Sequence, residues 1–356
     1  MVTLKPSRTS GAYELPLDSS YELRNYQPGD EYQIVELFNA AFGKNRVFVP
    51  RVVEYWVWRY PERPGFDPEG IFLLERDGRI ISSIVESIRR ARLGGRVLRF
   101  GIIDDVSTLP ELWGQGLASR LLEEAIGYAE QKNLDGLALF ADPEGHAHIL
   151  YQRYGFIDAK RYLIYVRFLG QEDTASQKRS DTAMNGVFER LTHENLESYC
   201  EEFNAAHERL EWFYPMSLDE LRWKLLDSSK VLPSETWIEI KEGKIAGGGT
   251  LSVRKMIAFG TEIDFAALEN VFTHERNDRE TAREIVHKLL EEGAGKNCKN
   301  AMCMISSDCP FRQKTLESAG FQKINESVQM INPLSDFDPA ESAKLCWYAP
   351  YEHMIG

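Results

Sequence analysis

The chain has 356 residues, more than one hydrophobic core usually supports, so two domains of about 150 to 200 residues each are expected. With 43% hydrophobic and 27% charged residues its composition is that of a globular protein, and no apolar run approaches the roughly 18 residues that cross a bilayer, which excludes a helical membrane span. A net charge of −13 repels nucleic acid and anionic membrane at long range, so neither is expected as a partner.

The segment from Met1 to Asp30 mixes Lys5, Arg8, Glu14, Asp18 and Glu22 without an apolar stretch. It does not read as a secretion signal, and a cytoplasmic location follows. After a first helix comes the aromatic run Tyr55-Trp56-Val57-Trp58-Arg59-Tyr60, followed by Pro61 and Pro64. It reads as core, as an interface between halves, or as the wall of an acceptor pocket to which Trp56 and Tyr60 would contribute. Glu75-Arg76-Asp77-Gly78-Arg79-Ile80 places a polar Gly turn between two alternating runs, the pattern of a hairpin.

The most informative stretch runs from Ile103 to Leu122: a strand, a turn marked by Pro110, and a small-residue loop that opens into a helix. That helix carries Leu117, Leu121, Leu122, Ala125, Ile126 and Ala129 as one apolar stripe. Gly114 and Gly116 leave backbone amides uncovered, and the helix N-terminus adds its positive dipole, so the loop is a seat for a pyrophosphate. A short strand at Gly136 to Phe140 leads into a second helix that ends at Gly155-Phe156. The polar stretch Gln171 to Asn185 reads as a linker.

At an offset of about 165 residues the chain matches itself. Glu75 to Ile80 falls on Ile240 to Ile245, Ile103-Asp104-Asp105-Val106 on Leu268-Glu269-Asn270-Val271, Thr108 on Thr273, and Gly155-Phe156 on Gly320-Phe321. Domains are therefore expected at 1–170 and 186–334, joined by the linker 171–185 and followed by a tail at 335–356. Aromatic residues in that tail, from Leu345 to Tyr351, suit it to docking on a domain.

The glycine loop, together with Tyr151 four residues before Gly155-Phe156, resembles the GNAT superfamily of N-acetyltransferases over about residues 71–165. The resemblance implies an α/β (α+β) fold of two tandem GNAT-like domains, each with a mixed, mostly antiparallel central sheet flanked by helices. It implies acetyl-CoA, or another acyl-CoA, as co-substrate, bound by Val106, Ser107, Thr108, Trp113, Gly114, Gln115, Gly116, Leu117, Ala118 and Ser119. Trp113 stands where the family usually has Arg or Gln, and Glu144, a further candidate substrate contact, replaces a common Asn. The implied chemistry is direct transfer of the acyl group to a primary amine, with Asp104 as base, Asp105 as its substitute, and Tyr151 as the acid for the leaving thiolate, with Tyr154 as its rival.

In the second half, carboxylates occupy both glycine positions of the equivalent loop, Asn277 to Ala282, and Leu316 replaces the tyrosine. CoA binding is not expected there. The seven histidines lack metal spacing, so no metal is expected. The five cysteines, Cys200, Cys298, Cys303, Cys309 and Cys346, match no disulfide framework and read as reduced thiols. A small-molecule amine is the leading acceptor, and a homodimer is allowed. A peptide or protein acceptor, or an idle CoA-binding sensor or scaffold, are the alternatives; a peptidyltransferase using aminoacyl-tRNA is disfavoured by the acidity and the glycine loop.

Overall fold

The computed structural model describes residues 21–170, 186–275 and 278–349. The expected linker, Asn277 and the end of the tail lie outside the described residues. The first half runs β1 (Glu22–Asn25), α1 (Glu31–Phe42), β2 (Val47–Phe48), α2 (Val53–Arg59), β3 (Ile71–Arg76), β4 (Arg79–Leu93), β5 (Arg96–Thr108), α3 (Leu117–Gln131), β6 (Gly136–Ala141), α4 (His146–Arg153) and β7 (Ile157–Phe168). The second runs β8 (Val187–Arg190), α5 (Leu196–His207), α6 (Leu218–Leu225), β9 (Ser234–Lys241), β10 (Lys244–Ala258), β11 (Thr261–Thr273), α7 (Arg279–Gly295), β12 (Asn300–Ser306), α8 (Pro310–Ser318) and β13 (Gln322–Pro333).

Local chemistry repeats with the elements. The hairpin turns of both halves use a non-glycine residue and then a glycine at positive φ, Asp77-Gly78 and Glu242-Gly243, which suits the right-handed twist of the flanking strands. The corresponding strands β5 and β11 each carry a bulge at a residue with positive φ, Asp105 and Asn270, opposite register shifts at Ser83/Val85 and Gly248/Thr250.

Among the described residues the thirteen strands form one sheet, in the order β1-β3-β4-β5-β6-β13-β7-β12-β11-β10-β9-β8, with β2 beside β10. Only the β5–β6 and β11–β12 pairs are parallel, so the sheet is mixed and mostly antiparallel. The order is a palindrome of the repeat. Its centre is a reciprocal exchange: β7 leaves the first half to pair with β12, and β13 leaves the second to pair with β6. Each exchanged strand covers an edge that would otherwise expose unpaired backbone groups.

A pseudo-twofold axis passes through the antiparallel β7–β13 pair, where Tyr162 faces its own repeat counterpart Ser327. It also passes between Trp58 and Trp223, which are 165 residues apart and bond reciprocally: Trp58 Nε1 donates to Trp223 O (3.1 Å) and Trp223 Nε1 to Trp58 O (2.8 Å). Their rings stack at 5.0 Å. The aromatic run of the first half thus supplies an interface residue, Trp58, and two core residues, Trp56 and Tyr60, which are 0% and 1% exposed.

Helices α1 and α3 close the first-half core with Ile34, Leu37, Leu121 and Ala125 against β3 to β5. A shared core between the halves packs Phe100, Trp212, Phe265 and Trp347, with Trp212 and Trp347 stacked at 5.6 Å. The expectation of five reduced cysteines is corrected: Cys309 and Cys346 form a disulfide that joins the start of α8 to the segment after β13. Cysteines distant in sequence carry no pairing signal until the fold brings them together; Cys200, Cys298 and Cys303 are free.

Truncating either axial tryptophan removes a large buried ring and takes the indole N–H away from its partner's backbone carbonyl. Trp58→Ala and Trp223→Ala are each expected to cost about 3 to 5 kcal/mol in urea unfolding. The double variant is expected to fall well short of the sum, because each ring is the other's partner; additive losses would contradict the axial pairing.

Candidate functional site

Strands β5 and β6 pair in parallel only from Phe100 to Ile102 against Gly136 to Ala138, and then part. Beyond that point the β6-facing edge of Asp104 to Thr108 has no strand beside it, and both strands lead into helix N-termini, α3 and α4. A crevice where parallel strands separate at their carboxyl ends is where an extended ligand can lie against free backbone. The far edge of β6 is paired with β13, so the second half builds the back wall of this crevice.

The N-terminus of α3 is open. Its cap, Gly116, has φ 80° and ψ 4°, no side chain caps it, and its first turn holds no acidic residue. Gly114 also has φ 80°, and a Cβ there would meet nothing within 4 Å. The amides of Leu117, Ala118 and Ser119 are therefore first-turn donors without intrahelical partners, aligned with the positive end of the helix dipole. Leu117, 2% exposed, anchors that turn in the core. Trp113 adds no charge to the loop: its Nε1 donates to Thr108 O (2.8 Å), tying the loop to the strand end, and its ring is 55% exposed under Lys44. Gln115 accepts from Tyr21 Oη at 3.4 Å. Thr108 and Ser107 are held from the β4 side, where Ser82 Oγ lies 2.7 Å from Thr108 Oγ1 and donates to Ser107 O. Val106 packs half-buried on the core.

In the second half the corresponding seat is filled from within. Asp278 caps α7, its carboxylate accepting from Glu280 N (3.0 Å) and Thr281 N (3.1 Å), and Glu280 adds a negative charge to the first turn. The donors that α3 leaves open are here satisfied by a side chain, and an incoming phosphate would meet like charge.

Tyr151 lies on α4, 6% exposed, against Phe156. Burial raises its phenol above the ordinary value, which keeps the proton on oxygen at neutral pH. Tyr154 instead donates to Glu123 (2.9 Å) on α3, which occupies the rival acid. Asp104 and Asp105 are buried and face arginines from the α1–α2 region: Arg59 Nη2 lies 3.5 Å from Asp104 and Arg51 Nη2 3.3 Å from Asp105. Around them Asp105 Oδ2, Arg59 Nε, Trp56 Nε1, Tyr60 Oη and Ser83 Oγ are buried without a hydrogen-bond partner among the described residues. Atoms of this kind are normally satisfied by ordered water, so the pair sits in a polar hollow inside an apolar core. Burial takes the Trp56 and Tyr60 rings out of direct reach of an acceptor, and Glu144 is exposed ahead of α4.

Sequence reasoning missed Glu86. It sits on β4 opposite Ile103, 3% exposed, with neither oxygen bonded among the described residues, and fills the space a side chain at Gly101 would occupy. A lone Glu in the apolar run from Ile80 to Ile88, facing a strand glycine, was the available signal. Also missed was the tie between halves through Tyr55, which lies beside Arg254 Nη1 at 3.4 Å; Arg254 in turn pairs with Glu269, the counterpart of Asp104. Burial would raise the Tyr55 phenol, but Arg254, Arg59 and Arg51 together lower it.

Residues 22–157 match the family model of the acetyltransferase (GNAT) domain. Over 103 residues the chain is 31% identical to a mycothiol acetyltransferase of Streptomyces coelicolor, which covers 29% of this chain and 31% of that protein. Over 161 residues it is 28% identical to a mycothiol acetyltransferase of Acidimicrobium ferrooxidans, covering 40% and 48%. The matches thus span about a third to a half of the length of these curated relatives. In fold the chain is similar to Saccharomyces cerevisiae N-myristoyltransferase with bound myristoyl-CoA, at TM-score 0.72 and 12% identity over 94% of this chain and 90% of that one. It is also similar to a GCN5-related N-acetyltransferase from Anabaena variabilis, at TM-score 0.60 and 11% identity over 87% and 72%.

Burial pushes the Glu86 carboxyl well above its usual range, so the folded protein holds a proton there that the unfolded chain releases. The folded state therefore binds more protons, and the stability contributed at this position falls as pH rises above the ordinary carboxyl range. Glu86→Gln is expected to gain urea stability over the wild type progressively between pH 5 and pH 8; a difference that stays flat with pH would mean that Glu86 is ionised and paired.

Proposed function

We propose that this chain, which belongs to the GNAT superfamily, is an acyl-CoA-dependent N-acyltransferase whose chemistry is carried out by the first half. The observation that carries the reading is the open N-terminus of α3 at the mouth of the β5–β6 crevice, set against the self-capped N-terminus of α7 in the same fold. Within this reading the units are 1–170, which holds the cofactor site, and 186–334, which completes it through β13. Acetyl-CoA is the default donor and a primary amine the acceptor.

The residues present fit the donor. The amides of Leu117, Ala118 and Ser119, with Gly114 and Gly116, would receive the pyrophosphate, and the free edge of Val106 to Thr108 would align the pantetheine as an added strand. The amine nitrogen attacks the thioester carbonyl, the C–S bond breaks, and the thiolate takes a proton from Tyr151. The ammonium proton passes to Asp104 through the polar hollow around it, and accepting it requires Asp104 to loosen from Arg59. That cost favours one competing reading, an idle CoA-binding module in which both aspartates serve only as counterions. An acceptor carried on a peptide remains the alternative within the enzyme class.

Calorimetric titration of acetyl-CoA is expected to find one site per chain, weakened more than about tenfold in Gly116→Glu, which brings the second half's carboxylate into the first. Release of CoA with a panel of amines is expected to fall on the order of 10²-fold in Tyr151→Phe and in Asp104→Asn with binding intact. Binding without turnover on any amine supports the idle module, and no binding to the wild type overturns the reading.

A further inference from the structure

The second half keeps a crevice although its pyrophosphate seat is closed. Where β11 and β12 part after Leu268 and Cys303, a groove of about 960 Å³ opens between α5, the N-terminus of α7, α8 and the segment Lys344–Ala349. That segment is fastened as a wall: the Cys309–Cys346 disulfide holds it, and the buried Lys160 Nζ donates to Ala343 O and Leu345 O, each at 2.6 Å. A groove of this size is in the range of small-molecule sites.

Its chemistry differs from that of its first-half counterpart at two positions in its lining. By the 165-residue repeat, His207 corresponds to Phe42 and Arg312 to Ala147. His207 is 1% exposed; its Nδ1 lies 2.8 Å from Phe203 O, so that nitrogen carries the proton and donates. Nε2 is left as a bare acceptor, buried and without a partner among the described residues. Burial and the nearby Arg312 hold the imidazole pKa down to about 3, so Nε2 stays a neutral acceptor at physiological pH. The Arg312 side chain lines the same groove with no hydrogen bond or ion pair among the described residues, and burial lowers its pKa from the ordinary guanidinium value. A partly desolvated guanidinium without a counterion is costly unless an anion completes it.

The groove is locally cationic in an acidic protein. Arg209, Arg279, Lys314 and Lys344 join Arg312 in its lining. Of the three carboxylates there, Glu269 is paired with Arg254 at 2.8 Å and Asp308 with Lys160 at 2.6 Å, leaving Glu208. Leu268, Val286, Ile305 and Leu316 supply an apolar part of the wall.

We propose that this groove binds a small hydroxycarboxylate with an apolar body, its carboxylate on the Arg312 guanidinium, its hydroxyl donating to His207 Nε2, and its chain along Leu268 and Ile305. The site is separate from the crevice between β5 and β6 and does not depend on whether the first half transfers acyl groups. Where the first half has Phe42 and Ala147, the lining here carries an imidazole acceptor and a cation.

The test is calorimetry on the full chain with 3-hydroxyoctanoate, octanoate and the neutral 1,3-octanediol. 3-Hydroxyoctanoate is expected to bind once per chain, about tenfold or more tighter than the diol and several-fold tighter than octanoate. Arg312→Gln is expected to abolish the preference over the diol, Arg312→Lys to restore part of it, and His207→Phe to erase the preference over octanoate, with far-UV circular dichroism as the check on folding. Equal binding of acid and diol by the wild type, or no binding, overturns the proposal even if a variant fails to fold. A second equivalent of acetyl-CoA that 3-hydroxyoctanoate displaces overturns it as well, by making the groove a CoA site.

Discussion

Two parallel strands that pair for three residues and then separate set the terms for everything else in this molecule. Separation exposes the β6-facing edge of Asp104 to Thr108, which a globular protein tolerates only where a ligand or solvent can complete it. It also leaves β6 in need of a partner on its far side. The first half does not supply one, because its own last strand, β7, has crossed to β12; β13 arrives in exchange. The halves are therefore not beads on a linker. Each contributes the strand that lets the other hold its crevice open.

That exchange explains why two copies of one fold can diverge so far in chemistry while keeping equivalent element boundaries. The scaffold is set by the sheet and the axial contacts of Trp58 with Trp223, whereas the proposed ligand seat is one turn of backbone. With glycines before α3 the first-turn amides stay open; with Asp278 before α7 they are bonded within the chain at 3.0 and 3.1 Å. A single carboxylate in this position both satisfies the donors and repels a phosphate, so a few substitutions close the seat without disturbing the sheet.

Much of this was legible in the sequence, because the signals were local. The hairpin glycines Gly78 and Gly243, the apolar stripe of α3, the Gly155 and Gly320 turns and the 165-residue offset are all properties of short windows, and the structure places each in the expected element. The strand exchange was not legible: β7 and β13 read alike whichever strands they join, and pairing between segments far apart leaves no mark on periodicity. The cysteine pair at 309 and 346 failed for the same reason. At the candidate site, the glycine loop was visible as composition, but the arginines opposite Asp104 and Asp105 were not, since Arg59 lies in a run whose dominant signal is aromatic and Arg51 just ahead of it. Glu86 was hidden by the opposite effect, the one carboxylate in a strand whose stretch from Ile80 to Ile88 otherwise reads as core.

The distribution of charge follows from the same division. At −13 the surface as a whole disfavours anions, yet both crevices concentrate positive potential, one through uncapped backbone amides and the other through side chains such as Arg312. A helix dipole acts only within its first turn, so it can select a phosphate at one point without changing the field elsewhere. Side-chain cations reach further and are screened by nearby acids, which is why Glu269 and Asp308 must be tied to Arg254 and Lys160 for the second groove to stay cationic. Those ties run through buried residues of both halves: Lys160 belongs to the exchanged strand β7, and Arg254 also contacts Tyr55 of α2. The strand exchange that shapes the first crevice thus also sets the charge of the second, and neither half can be altered at these residues without consequence for the other.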